Sequence, residues 1–183
     1  MKCQICPHHC ELEEGKIGRC RVRTIKDGSP ASLSYGVLSS IALDPIEKKP
    51  LRRFHPGSLI LSVGSFGCNL SCPFCQNHSI AQRGVPASDC EENMLSAGKY
   101  ESLSPQELAG IAIQTRKDSG NIGIAYTYNE PLICFEYVRE TAALIHSAGM
   151  YNVLVTNGCV LDPVLAEVLP LTDAMNIDLK AFT

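Results

Sequence analysis

From residue 58 onward the chain alternates short apolar runs with longer stretches whose apolar positions recur every three or four residues. SLILSVG, residues 58–64, is apolar between turn formers and predicts a buried strand. In SPQELAGIAIQTRKDSG, Leu108, Ile111, Ala112 and Thr115 fall on one helical face. Ser104 and Glu107 make a capping-box pair, Pro105 suits the first helical position, and Gly120 closes the end. IGIAYTY predicts a second strand, and residues 131–148 a second helix opened by Pro131 and ended by Gly149. YNVLVTNG predicts a third strand, Asp162-Pro163 opens a short third helix to about Leu169, and DAMNIDLK predicts a fourth strand. Strands and helices alternating at this spacing predict βαβ units, an α/β fold with a parallel sheet.

Before residue 58 this pattern is absent. Residues 1–23 are charged and rich in cysteine. Residues 24–57 hold the turn formers Asp27-Gly28-Ser29-Pro30, Asp44-Pro45 and His55-Pro56-Gly57, and predict a connecting layer with a hairpin or two. Its basic run, Lys48-Lys49-Pro50-Leu51-Arg52-Arg53, predicts a solvated loop. The chain thus divides into a cysteine-rich module (1–23), a connecting layer (24–57) and an α/β unit (58–183), within 183 residues.

Composition narrows the setting. A formal net charge of −3 offers no basis for binding nucleic acid or an anionic membrane. No apolar run approaches the roughly 20 residues that span a bilayer, and the N-terminus lacks a signal-peptide core. The expected location is the cytoplasm. There, ten cysteines, seven of them clustered, point to metal rather than to disulfides.

In parallel α/β folds ligands bind at the carboxyl ends of the strands. Cys68, the peptide Tyr128-Asn129-Glu130-Pro131, the peptide Thr156-Asn157-Gly158 and the peptide Asp178-Leu179-Lys180 all fall at such ends. Cys68, Cys72 and Cys75 offer three soft thiolate donors. They suit either a zinc ion closed by His78 or a [4Fe–4S] cluster with one iron left open. Cys3, Cys6, Cys10 and Cys20 supply four thiols, with His8 and His9 as substitutes. They suit a second iron–sulfur cluster or a structural zinc ion. Cys90, Cys134 and Cys159 read as small apolar residues, and His146 as a surface or capping residue.

Cys68-x3-Cys72-x2-Cys75, with Phe74 before the third cysteine, resembles the signature of the radical S-adenosylmethionine enzymes. DPIEKKPLRRFHPGS, SVGSFGCNLSCPFCQN, YTYNEP, VTNG and NIDLKAF together resemble the pyruvate formate-lyase activating enzyme-like branch, and within it the radical enzyme of the AmmeMemoRadiSam system. The resemblance implies a partial (β/α) radical SAM barrel, about four of its six βα units being present. It implies that Cys68, Cys72 and Cys75 hold the cluster, whose open iron takes the amino and carboxylate groups of S-adenosylmethionine. Reductive cleavage then yields a 5′-deoxyadenosyl radical that abstracts hydrogen, activating or modifying a protein. Phe74 is implied near the adenine, and Asn129 and Glu130 near the methionine amino group. Thr156 and Asn157 are implied beside the ribose and carboxylate, and Asp178 and Lys180 near the carboxylate and substrate. A ferredoxin or flavodoxin is implied as reductant.

Two other functions fit parts of the sequence. One is an iron–sulfur electron-transfer protein, although a relay needs no Glu130, Asn157, Asp178 or Lys180. The other is a zinc-binding interaction module. The alternation also stops just after Lys180, before the further units the resemblance implies. The chain is therefore expected to be a fragment of a longer protein, or to be completed by a partner or a second copy.

Overall fold

A computed structural model describes residues 1–85 and 100–180; Cys90 and residues 181–183 lie outside the described residues. Arg23–Lys26 (β1) and Ser29–Ser32 (β2) form a hairpin, Val37–Leu38 (β3) is short, and Ser40–Pro45 (β4) runs antiparallel to Leu59–Gly64 (β5). One helical turn, His78–Ala81 (α1), follows the cysteine loop, and Glu101–Ser102 (β6) pairs with β3. Pro105–Ser119 (α2), Asn121–Tyr126 (β7), Phe135–Ser147 (α3), Tyr151–Thr156 (β8), Asp162–Val168 (α4) and Ala174–Ile177 (β9) complete the order. The main sheet runs β4-β5-β7-β8-β9, and β5, β7, β8 and β9 are parallel.

The four strands expected from the alternation are thus present, joined by helices in right order for a βα fold. Local signals explain their bounds. The capping box at the start of α2 is complete: Glu107 N–H donates to Ser104 Oγ (3.3 Å), and Ser104 N–H to Glu107 Oε2 (2.7 Å). Gly120 ends the helix at φ +71°, where a side chain would be strained. The second predicted helix begins later than its proline suggested. Pro131–Cys134 is a 3-10 turn, and regular helix starts at Phe135.

One expectation needs correction. Residues 40–45 do not merely connect; as β4 they pair along the whole of β5, from Ser40↔Gly64 to Pro45↔Leu59. The turn formers after Pro45 hid this, because the pairing partner lies beyond them.

Both faces of the sheet are buried along its middle strands β5, β7 and β8, in keeping with their apolar sequences. One face packs Leu61, Ile124, Tyr126 and Leu154 against Leu108 and Ala112 of α2, Val138, Ala142 and Ile145 of α3, and Val164 of α4. The other packs Ile60, Ala125 and Val153 against Ile46, with Leu51 and Phe54 beside them. So Leu51 of the basic run, with Ile46 before it and Phe54 after it, covers the second face.

A buried amide holds β5 to β7. Asn121, 1% exposed, accepts from Leu61 N–H and Gly123 N–H (3.0 Å each) and donates to Ala112 O (3.1 Å) and Thr115 Oγ1 (3.0 Å). It bridges the register irregularity between Leu59 and Leu61. Asn121→Ala leaves these buried groups unpaired, and the expected loss is about 3 kcal/mol of unfolding free energy. Chemical denaturation checks this; a loss below about 1 kcal/mol would contradict the role.

Candidate active site

The cysteine loop leaves the end of β5 through Ser65, Phe66 and Gly67. Gly67 sits at φ +83°, and a Cβ there would lie 2.5 Å from Cys20 O and 2.8 Å from Val22 Cγ1. Only glycine lets the N-terminal segment pass this close to Cys68. Three further contacts fix that segment on the loop. His8 Nε2 pairs with Asn69 O (2.8 Å), and Arg21 reaches Cys68 O (3.5 Å) and Ser71 Oγ (3.3 Å); beyond β8, Leu161 N–H also donates to Ile5 O (2.9 Å).

Cys68, Cys72 and Cys75 are free, half-buried thiols. Gln82 Nε2 holds Cys72 O at 2.9 Å, and Cys68 Sγ lies 3.4 Å from Leu70 N–H and 3.7 Å from Asn157 Nδ2. Burial pushes the Cys68 thiol up to about 11; the Leu70 N–H opposes this, and the charges of Glu130, Cys72 and Cys75 add to it.

At the end of β7 the chain takes an unusual turn. Tyr128 adopts φ +71°, so the next two side chains serve different neighbours. Asn129 turns to the cysteine loop, where its Oδ1 accepts from Ser65 N–H (3.0 Å) and its Nδ2 donates to Phe66 O (3.2 Å) and Gly67 O (3.1 Å). Glu130 turns to β8. Its carboxylate, 1% exposed, accepts from Thr156 Oγ1–H (2.7 Å), Leu132 N–H (3.0 Å) and Asn157 N–H (2.8 Å). Burial raises its pKa above the ordinary carboxylate value, while those three donors oppose the rise.

Asn157 completes the rim. Its Nδ2 donates to Asn69 Oδ1 (2.9 Å), its Oδ1 accepts from Cys159 N–H (2.8 Å), and Asn69 Nδ2 donates to Cys159 O (2.6 Å). At the next strand end Lys180 pairs with Asp178 (2.8 Å), whose own N–H donates to Thr156 O (2.8 Å). The Asp178 hydrogen bond raises the Lys180 pKa most, burial opposes it, and the charges of Cys72 and Cys75 add to the rise.

These elements enclose a cavity of about 510 Å³ at the carboxyl ends of the parallel strands. Cys68, Cys72, Phe74, Cys75, Asn129, Glu130, Thr156, Asn157, Asp178 and Lys180 all line it. His78 does not; it is exposed at the start of α1. Tyr128, of the rim peptide, does, and so do Lys48 and Lys49, which sequence spacing does not place there. The run read as a solvated loop puts Lys49 at 3% side-chain exposure, paired to Asp44. Its one available signal was Asp44, four and five residues before two lysines.

Among the described residues, no three His, Cys, Asp or Glu side chains are drawn together tightly enough to hold a single metal ion. The Cys68 loop nonetheless brings three thiols and Glu130 to one cavity, where the like charges of its neighbours disfavour the Cys68 thiolate. A bound cation would reverse that effect. Three soft donors, each able to take a different metal atom, fit an iron–sulfur cluster.

At the N-terminus Cys6 and Cys20 are buried, and Cys3 and Cys10 half-buried. Burial raises the pKa of both Cys6 and Cys20. Backbone N–H groups of His8 for Cys6, and of Val22 and Arg23 for Cys20, oppose the rise, and the neighbouring thiols add to it. Cys10 Sγ lies 3.4 Å from Arg19 N–H. Cys134 is buried in the core, as its apolar reading expects. His146 lies on the surface of α3, 3.3 Å from Asp173.

The model of the Radical SAM superfamily matches residues 62–183. The uncharacterized protein MJ0808 of Methanocaldococcus jannaschii is 38% identical over 180 residues, 98% of this chain and 49% of that protein. The 7-carboxy-7-deazaguanine synthase of the same organism is 26% identical over 126 residues, 68% of this chain and 48% of that one. The chain spans about half the length of these curated relatives.

The Asn129 amide makes its three shorter hydrogen bonds to the loop that carries Cys68, with a longer one to Glu130 O (3.4 Å). Asn129→Ala is expected to lower iron uptake on anaerobic reconstitution and to cost about 2 kcal/mol of stability. Iron analysis and denaturation of the variant check both; unchanged iron content would contradict this role.

Proposed function

The chain belongs to the Radical SAM superfamily, and on that premise we propose that Cys68, Cys72 and Cys75 hold a [4Fe–4S] cluster and the adjoining cavity binds S-adenosylmethionine. One observation carries this reading. Three free thiols and the polar ends of three neighbouring strands line one cavity of about 510 Å³, a size suited to such a ligand. When bound, the cluster supplies the electron that cleaves S-adenosylmethionine to methionine and a 5′-deoxyadenosyl radical.

The chain's own residues bind and orient. The Glu130 carboxylate offers roughly four acceptor positions. Three are taken by Thr156, Leu132 and Asn157, and the remaining one serves the methionine ammonium. Lys180 serves the methionine carboxylate, with Asp178 holding its ammonium in place. Phe74, 68% exposed at the cavity, offers an apolar plane to the adenine. Thr156 and Asn157 keep the β8 rim fixed while these contacts form.

The proposal extends to the branch. On its motifs the protein acts as an activating-type oxidoreductase whose radical activates or modifies a protein, with a ferredoxin or flavodoxin as electron donor. Cys3, Cys6, Cys10 and Cys20 hold a second group, an auxiliary iron–sulfur cluster or a zinc ion. Their spacing, their backbone N–H partners and their packing on the Cys68 loop support this. A pure electron relay accounts for neither Glu130 nor the Asp178–Lys180 pair.

Anaerobically reconstituted protein, given a strong reductant and S-adenosylmethionine, is expected to release methionine and 5′-deoxyadenosine. Changing Cys68, Cys72 and Cys75 together to Ala should abolish this. Glu130→Ala should keep the cluster and weaken cofactor binding about tenfold or more, the worth of one hydrogen bond to a charged group. Product no higher than in the cysteine variant would favour the relay. Metal analysis of that same variant addresses the second site: iron or zinc should remain, and a folded, metal-free chain would refute it.

A further inference from the structure

The cavity has a wall that the reaction just proposed leaves unused. β4 ends at Asp44-Pro45, and the turn Ile46–Lys48 then carries both Lys48 and Lys49 to the cavity. The turn is anchored by Ile46, fully buried against Ile60, Ala125 and Val153, so the two lysines are placed by the core rather than by loop chance. Lys48 Nζ lies 2.8 Å from Asp44 Oδ1, and Lys49 Nζ lies 3.0 Å from Asp44 Oδ2. Tyr128 OH donates to Oδ2 as well, at 2.8 Å.

Two ammonium groups therefore share one carboxylate, whose oxygens are already engaged. An ammonium has three N–H donors. Among the described residues each lysine gives one to Asp44 and none to any other acceptor. For Lys48, whose side chain is 64% exposed, water supplies the rest. For Lys49, at 3% exposure, it hardly can; its other neighbour is the Tyr128 ring, 4.8 Å away. A buried ammonium with donors to spare is costly unless an acceptor meets it. The remaining charged side chains of the cavity do not supply one. Lys180 neutralises Asp178 on the far wall, and Glu130 is held by its three donors.

We infer that the Lys48–Lys49 corner recognises an anionic oxygen group, a carboxylate or a phosphate, on the molecule that gives up its hydrogen in the cavity. This rests on the reading that the cavity is a radical SAM site. It deepens that reading by naming a substrate class. Lys48 is the adaptable contact, free to swing towards the anion. Lys49 is the fixed one, and Asp44 with Tyr128 positions both. A neutral or cationic substrate at this corner would leave the surplus positive charge unanswered.

The test titrates inorganic phosphate and acetate, in separate calorimetric experiments, into the reconstituted holoenzyme saturated with S-adenosylmethionine. One of the two is expected to bind saturably, and which one binds tells a phosphorylated substrate from a carboxylic acid. Lys48→Met should weaken that binding about tenfold, the loss of one charge-assisted contact, while Lys48→Arg should keep it within about twofold. Because Lys48 is exposed, both variants are expected to fold. The affinity for S-adenosylmethionine is measured on each. If Lys48→Met weakens that affinity by the same factor, the corner serves the cofactor's own carboxylate and the inference fails. It fails equally if neither anion binds the wild type, or if Lys48→Met binds as the wild type does. Failure of the underlying reading shows separately, as wild-type protein that does not bind S-adenosylmethionine.

Discussion

The buried carboxylate of Glu130 is the constraint on which the rest of the site depends. It stands at the end of β7 with 1% of its surface exposed and accepts from Thr156, Asn157 and its own Leu132. Burying a charge this deeply is tolerable only because the donors are in place before any ligand arrives. The carboxylate thereby locks the rim of β8 to the rim of β7. The residue beside it does the same for β5: Asn129 gathers the backbone of Ser65, Phe66 and Gly67. Neighbouring side chains can reach in these two directions because Tyr128 takes a left-handed conformation, held there through its hydroxyl on Asp44 and its carbonyl on Asn77 (2.8 Å each). Three strand ends are thus tied together within three residues.

The N-terminal segment joins this arrangement from outside the sheet. The close pass of Cys20 over Gly67 and the reach of His8 and Arg21 to the loop make the segment part of the wall behind Cys68. Movement of either one is therefore felt by the other. This explains why the loop leaves β5 through a glycine at positive φ and not through an ordinary residue.

What the sequence made legible was whatever short-range chemistry decides. The strands from Leu59 onward, the capping box of Ser104 and Glu107 and the polar peptides at strand ends follow from spacing alone, so the cavity's cysteines and its Glu130, Asn157, Asp178 and Lys180 could be named in advance. What stayed hidden depends on distant partners. Ser40–Pro45 becomes a strand only because β5 lies across a long connection. A basic run normally faces solvent, as Lys48 still does; Lys49 is buried beside it, and Ile46 packing on Ile60 places both at the cavity. Asn129 was legible as a residue of the rim, but its hold on the backbone of Ser65, Phe66 and Gly67, more than sixty residues away, is something no local pattern can announce.

The central claim is that the cavity organised by Glu130 presents the methionine end of S-adenosylmethionine to a cluster held by Cys68, Cys72 and Cys75. Electron–nuclear double resonance on the reduced protein tests it most directly, with S-adenosylmethionine carrying nitrogen-15 at its amino group. The account expects a hyperfine coupling between that nitrogen and the reduced cluster, lost when Glu130 is changed to Ala. A reduced cluster in the wild-type protein whose spectrum shows no such coupling, at saturating S-adenosylmethionine, would contradict it.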